Sequence, residues 1–127
     1  RFIKQFSLPS FGEENLEKID FNEDLESDEF VRYLELLEEL NNETEIEENK
    51  PRHQMGGYPS TIQNDVFEEV RDINGNHTNE LELLLQVDSD DDLEMMWGAM
   101  GMLYFCIEKE DLKNKNFENI QMTLQFY

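Results

Sequence analysis

The sequence predicts an α+β domain: a mainly antiparallel mixed sheet of about four strands with helices packed on one side. Three observations carry this reading. Over residues 81–127, three runs show β-type hydrophobic patterning, split by acidic or glycine-bearing turns. Residues 28–40 instead space their apolar side chains at the helical period. Together with a strand-like run at residues 1–8, these elements total an α+β domain of about four strands, mainly antiparallel, with helices on one side. A chain of 127 residues can bury one modest core, so a single domain over residues 1–127 is expected.

The first strand is placed at residues 1–8, RFIKQFSL, with Phe2, Phe6 and Leu8 on one face; Pro9-Ser10-Phe11-Gly12 ends it. In residues 13–26 the apolar positions Leu16, Ile19 and Leu25 are too sparse for a core face, which leaves a short helix or a loop. The clearest helix is 28–40, where Phe30, Tyr33, Leu34, Leu37 and Leu40 line one side and Arg32, Glu35, Glu38 and Glu39 the other. Ser27 suits the N-cap, and Asp28 and Glu29 suit the positive end of the helix dipole. The helix should stop near Asn41-Asn42, and the polar run to Pro51 reads as a connector. Asp65 and Glu68 have the D-x-x-E spacing of a capping box, so a short helix is expected over 66–72, then a loop at 73–76.

The strand at 81–87 should put Leu81, Leu83, Leu85 and Val87 on one face. Residues 102–107 are apolar on both faces and should form the central strand, with a helix or turn at 108–114. Finally, Ile120, Met122, Leu124 and Phe126 alternate with Gln121, Thr123 and Gln125, as in a strand whose glutamine-bearing face is wet.

The charge balance is extreme: 31 Asp plus Glu against 10 Lys plus Arg give −21. Sixteen of those acids fall within residues 13–48, opposed there by Lys18 and Arg32 alone. Such a field repels phosphate backbones and anionic lipid, which disfavours nucleic acid and membrane surfaces and favours a basic protein. The bland alternative is that the charge serves solubility. No apolar run is long enough to span a membrane. Cys106 is the one cysteine, so no internal disulfide forms and a reducing, cytoplasmic setting is expected. It lies in MLYFCI without a basic neighbour and should be buried and inert.

The run Asp88-Ser89-Asp90-Asp91-Asp92 invites a calcium reading, since hard cations gather carboxylate oxygens. The EF-hand pattern fails: Leu93 stands where glycine belongs and Ala99 where glutamate belongs. A second start at Asp72 fails likewise, with His77 and Leu83 in those places. His53 and His77, the two histidines, have no partner at metal-ligand spacing, and the common hydrolase, zinc and phosphate-loop motifs are missing. With so many acids, accidental carboxylate pairs occur everywhere, so no acid/base pair is singled out. No catalytic residue, metal or cofactor is therefore assigned.

Gln86 follows three leucines within a strand, where an amide is costly unless it finds partners. A buried bridge is the preferred reading and a ligand contact the rival. Gln63 poses the same choice, and so do Tyr58 and Trp97, each with an apolar body and a polar tip. Gly98 and Gly101 suit a tight turn into the central strand better than a phosphate cradle.

The run Leu83-Leu84-Leu85-Gln86-Val87-Asp88-Ser89-Asp90, then Met96-Trp97-Gly98, then Gly101-Met102-Leu103-Tyr104-Phe105 and a closing strand with Gln125, resembles the C-terminal half of the YwqG-like bacterial proteins. His53, Gly57-Tyr58 and Ile62-Gln63-Asn64-Asp65 resemble that family's other recurring block. The resemblance covers residues 53–127 and implies a mixed α+β fold of unknown function. It also implies members longer than this chain, with this sequence as the C-terminal part of such a protein. Where many relatives carry an acid after the Trp-Gly pair, this chain has Ala99.

Two functions are then expected, beside a purely structural role as a subdomain that completes a longer chain. The leading one is a non-enzymatic, cytoplasmic interaction module whose acidic surface engages a basic protein, as a toxin-neutralising immunity protein would. The rival is a small-molecule or enzymatic groove lined by His53, Tyr58, Gln63, Gln86, Asp88 and Trp97, which all fall within the two family-like blocks.

Overall fold

A computed structural model describes residues 8–9, 27–43 and 50–127. The chain divides into two compact units, Arg1–Lys50 and Pro51–Tyr127. The strand expected over residues 1–8 lies outside the described residues save for Leu8, and the ambiguous stretch 13–26 lies wholly outside them.

In the first unit, helix α1 (Asp28–Glu43) starts where its cap predicts. Ser27 Oγ accepts the Phe30 N–H at 3.1 Å and its carbonyl accepts the Val31 N–H at 3.2 Å. Phe30, Tyr33, Leu37 and Leu40 are half-buried at the expected spacing, while Leu34 is exposed. The helix outlasts its apolar stripe by nearly a turn, because asparagine is a weak helix former and not a breaker.

The second unit holds helix α2 (Val66–Asn74), strand β1 (Leu81–Asp88), strand β2 (Gly101–Glu108), helix α3 (Lys109–Lys113) and strand β3 (Gln121–Phe126). The strands form one antiparallel sheet in the order β1-β2-β3. The described residues thus make a mixed α+β fold with three sheet strands where about four were expected. Helix α2 is capped by Asp65, whose Oδ1 accepts the Phe67 and Glu68 N–H groups at 2.8 and 2.9 Å. It runs two residues further than its apolar pattern, to a left-handed Gly75 at φ 68° that closes the last turn. Val66, Phe67 and Val70 of α2 pack with Leu81, Leu83, Met102, Tyr104 and Cys106 to form the core.

Two strand faces differ from expectation. In β1, Leu83 pairs with Cys106 and Leu85 with Phe105, so Leu84 is an extra residue in a bulge. One inserted residue reverses the alternation beyond it. Leu81 and Leu83 therefore share the core face with Gln86 and Asp88, whereas Leu85 and Val87 turn to the other side, half-buried. In β3 the glutamine-bearing face is the buried one: Thr123 and Gln125 are covered, while Met122 is 50% and Phe126 38% exposed. The pairing explains this inversion. Thr123 lies opposite Tyr104 and Gln125 opposite Met102, and directly opposed residues share a face.

Candidate functional site

Segment 52–65 is the key to the corner where the family-like blocks meet. Gln54 pairs with Gln86 through reciprocal backbone bonds of 3.0 and 2.8 Å along the free edge of β1. Gly56 and Gly57, at φ 67° and 76°, then turn the chain. A segment without regular structure that lies against a sheet must have its backbone polar groups satisfied. Three glutamines do this. Gln86, fully buried, accepts the Ser60 N–H at 2.8 Å and donates to the Arg52 carbonyl at 2.8 Å, tying both ends of the turn. Gln54 Nε2 donates to the Gly56 and Tyr58 carbonyls at 2.7 and 2.8 Å, and Tyr104 Oη donates to the Ser60 carbonyl at 2.7 Å.

Gln125 repeats the device further along. Its Oε1 accepts the Ile62 and Gln63 N–H groups at 3.0 and 3.1 Å, and its Nε2 donates to the Asn64 carbonyl at 2.8 Å and to Glu69 Oε2 at 2.7 Å. Sequence reasoning missed this residue, because its neighbours Met122, Leu124 and Phe126 supply the apolar alternation. The signal available was its place in the family-like closing strand.

Asp88 closes the end of β1. Buried at 6% exposure, it accepts the Arg52 N–H at 3.0 Å and the Ser89 N–H at 2.9 Å. Its own N–H donates to His53 Nδ1 at 3.2 Å, and its carbonyl accepts the Trp97 indole N–H at 3.1 Å. With Nδ1 an acceptor, the neutral imidazole carries its proton on Nε2, which faces Asp90 Oδ2 at 3.0 Å. That hydrogen bond, aided by the Leu93 and Asp92 N–H groups, holds the Asp90 carboxyl below its ordinary range. Ser89 Oγ donates to the Gly101 carbonyl at 2.8 Å and accepts the Trp97 N–H at 3.1 Å.

The structure thus brings His53, Gln86, Asp88 and Trp97 to one corner, with Tyr58 joined through its carbonyl. Gln63 is elsewhere, exposed, its backbone held by Gln125. The Gln86 amide, the Asp88 carboxylate and the Trp97 indole bond to backbone groups, and both ring nitrogens of His53 are engaged. Cys106 is buried, and burial pushes its thiol up to about 12, far from a thiolate at neutral pH. His77 faces Asp72 at 3.3 Å on the open surface. Among the described residues, no group of three or more His, Cys, Asp or Glu is placed to hold a metal ion, and no helix is long and apolar enough to cross a membrane.

Fold and corner together define a small α+β module, a three-stranded meander with an irregular segment laced to it by buried amides. The chain belongs to the family described as Domain of unknown function (DUF1963), which matches residues 3–125. A comparison with curated proteins finds no match.

Proposed function

We propose that this chain is a non-enzymatic, cytoplasmic interaction module, of the YwqG-like bacterial kind within its family, whose acidic surface engages a basic protein partner. The observation that carries this is charge: −21 on 127 residues, with no Lys or Arg between Asp72 and Glu108. Complementary charge speeds encounter and selects among partners more than it sets affinity. The bonding at the corner also supports a structural rather than chemical role, since the side chains that would serve a ligand serve the backbone. An immunity-type role, in which such a surface covers a basic active site, is one form of the same reading. The groove reading gains less support, because the Gln86 amide and the Asp88 carboxylate are spent on backbone groups.

The test is affinity capture from native lysate at low and at high salt, read by mass spectrometry, with a second bait carrying Glu35→Lys, Glu38→Lys and Glu39→Lys. These acids are exposed on α1, so the fold should tolerate the change. A basic protein held at low salt, released at high salt and weakened by the triple change is expected. Recovery of neutral or acidic proteins alone, indifferent to salt, would sink the proposal.

A further inference from the structure

Loop 89–100, between β1 and β2, presents apolar side chains to water. Leu93, Met96 and Met100 are 60%, 51% and 59% exposed, and the ring of Phe126, itself partly exposed, lies against Gly98 of the same loop. Several large apolar side chains exposed on one short loop mark an interaction site more often than scattered ones do.

The loop is tied down rather than slack. Asp90 caps the turn Asp91–Leu93 and exchanges backbone bonds of 2.8 and 2.9 Å with Met95. Trp97 is held at its backbone and its indole nitrogen, and the Gly101 N–H donates to the Trp97 carbonyl at 2.7 Å. Glu94 and Met100 sit at φ 55° and 59°, where an L side chain costs about 1–2 kcal/mol. Strain of this kind persists only where the surroundings over-determine it. The methionines are therefore displayed on a fixed frame, and their unbranched, polarisable side chains can conform to an irregular apolar partner.

Charge identifies the occupant. Asp91, Asp92 and Glu94 are exposed on the same loop. No Lys or Arg falls along the chain from Asp72 to Glu108. A second copy would bring the same carboxylates face to face, which like-charge repulsion disfavours. We infer that the loop Leu93–Met96–Met100, with Phe126, is a docking surface for a basic amphipathic segment of a partner protein, its apolar side on the methionines and its Lys or Arg residues on the flanking acids. This rests on the basic-partner reading above and specifies its surface.

Full chain carrying ¹³C-methyl methionine is titrated with two synthetic peptides of equal charge: a lysine–leucine peptide with one apolar helical face, and a lysine–serine peptide without one. The Met96 and Met100 methyl signals should shift with the first peptide, while fully buried Met102 stays still. Binding should weaken about tenfold or more in a Met96→Gln/Met100→Gln variant, as for central apolar anchors. Both side chains are exposed, so the variant should fold. Equal binding of the two peptides, or unchanged binding by the variant, would overturn the docking surface yet leave the acidic-surface reading standing. Failure of both peptides to bind at low salt would remove both. Methyl shifts that depend on protein concentration alone would assign the patch to a second copy and overturn the inference.

Discussion

A buried glutamine is tolerated only when its amide is used, and Gln86 and Gln125 are each used on both sides of the amide. Gln125→Leu would strand the Ile62 and Gln63 N–H groups, at about 1–3 kcal/mol for each group left buried. A fall in unfolding free energy of that order, read from urea titration, is expected, with little change for the half-buried Gln121→Leu. Gln125→Glu is more diagnostic. It keeps the acceptors but sets a second carboxylate where Nε2 now meets Glu69 at 2.7 Å. Like charges raise one carboxyl's affinity for its proton, so this variant should be weak at neutral pH and regain stability as pH falls. Asp90 has the opposite sign. Its folded carboxyl is depressed by His53, so its contribution is present above the ordinary carboxylate range and is lost as pH falls below that range through the depressed folded value. Asp90→Asn should flatten the acid limb of stability against pH measured by denaturant titration.

At the level of elements, what the sequence made legible was whatever depends on local pattern. The cap at Ser27, the cap at Asp65 and the doubly apolar central strand each rest on a few adjacent residues, and each stands where its pattern puts it. The faces of β1 and β3 depend on partners instead. Nothing in LELLLQVD distinguishes a bulge at Leu84 from straight alternation, because three leucines in a row satisfy either face. Likewise QMTLQF reads as apolar-in until Gln125 is set opposite Met102. Of the proposed site, His53, Gln86, Asp88 and Trp97 meet because β1 and its edge partner are apposed, a contact that spacing along the chain does not encode. The bulge itself is testable. Deleting Leu84 should be tolerated, since Leu81, Leu83, Gln86 and Asp88 would then share a face by simple alternation. Inserting one alanine after Leu85 should unfold the unit, because it turns Gln86 and Asp88 outward. Circular dichroism melts of the two variants separate these outcomes. Glycine supplies a second comparison. A Cβ at Gly101 would lie 2.5 Å from the Gln125 carbonyl and 2.8 Å from that of Trp97, both backbone. At Gly75 it would meet open space and only the φ of +68° opposes it. Gly75→Ala should cost about 1 kcal/mol and Gly101→Ala several times more, by urea unfolding.

For the whole molecule, the charge that favours a basic partner also works against the fold. Ten cations cannot neutralise 31 acids, and the unfolded chain, being larger, holds the excess further apart. Ion pairs such as Lys109–Glu80 at 3.2 Å and Lys113–Glu110 at 3.5 Å are solvent-exposed and contribute little. Raising ionic strength from about 0.01 to 0.15 M shortens the screening length from about 30 to 8 Å, which removes most repulsion between distant surface acids. The unbound protein should therefore become more stable with added salt, seen as a rising urea midpoint. A variant with Glu35, Glu38 and Glu39 changed to glutamine should start higher and rise less. Binding to a basic partner must move the other way, since the same screening removes the attraction. Opposite salt signs for stability and for association would follow from a single cause, the uncompensated acidic surface. If stability instead fell with salt, attractive pairs would outweigh the repulsion, and the surface could not be the unbalanced field on which the partner reading depends.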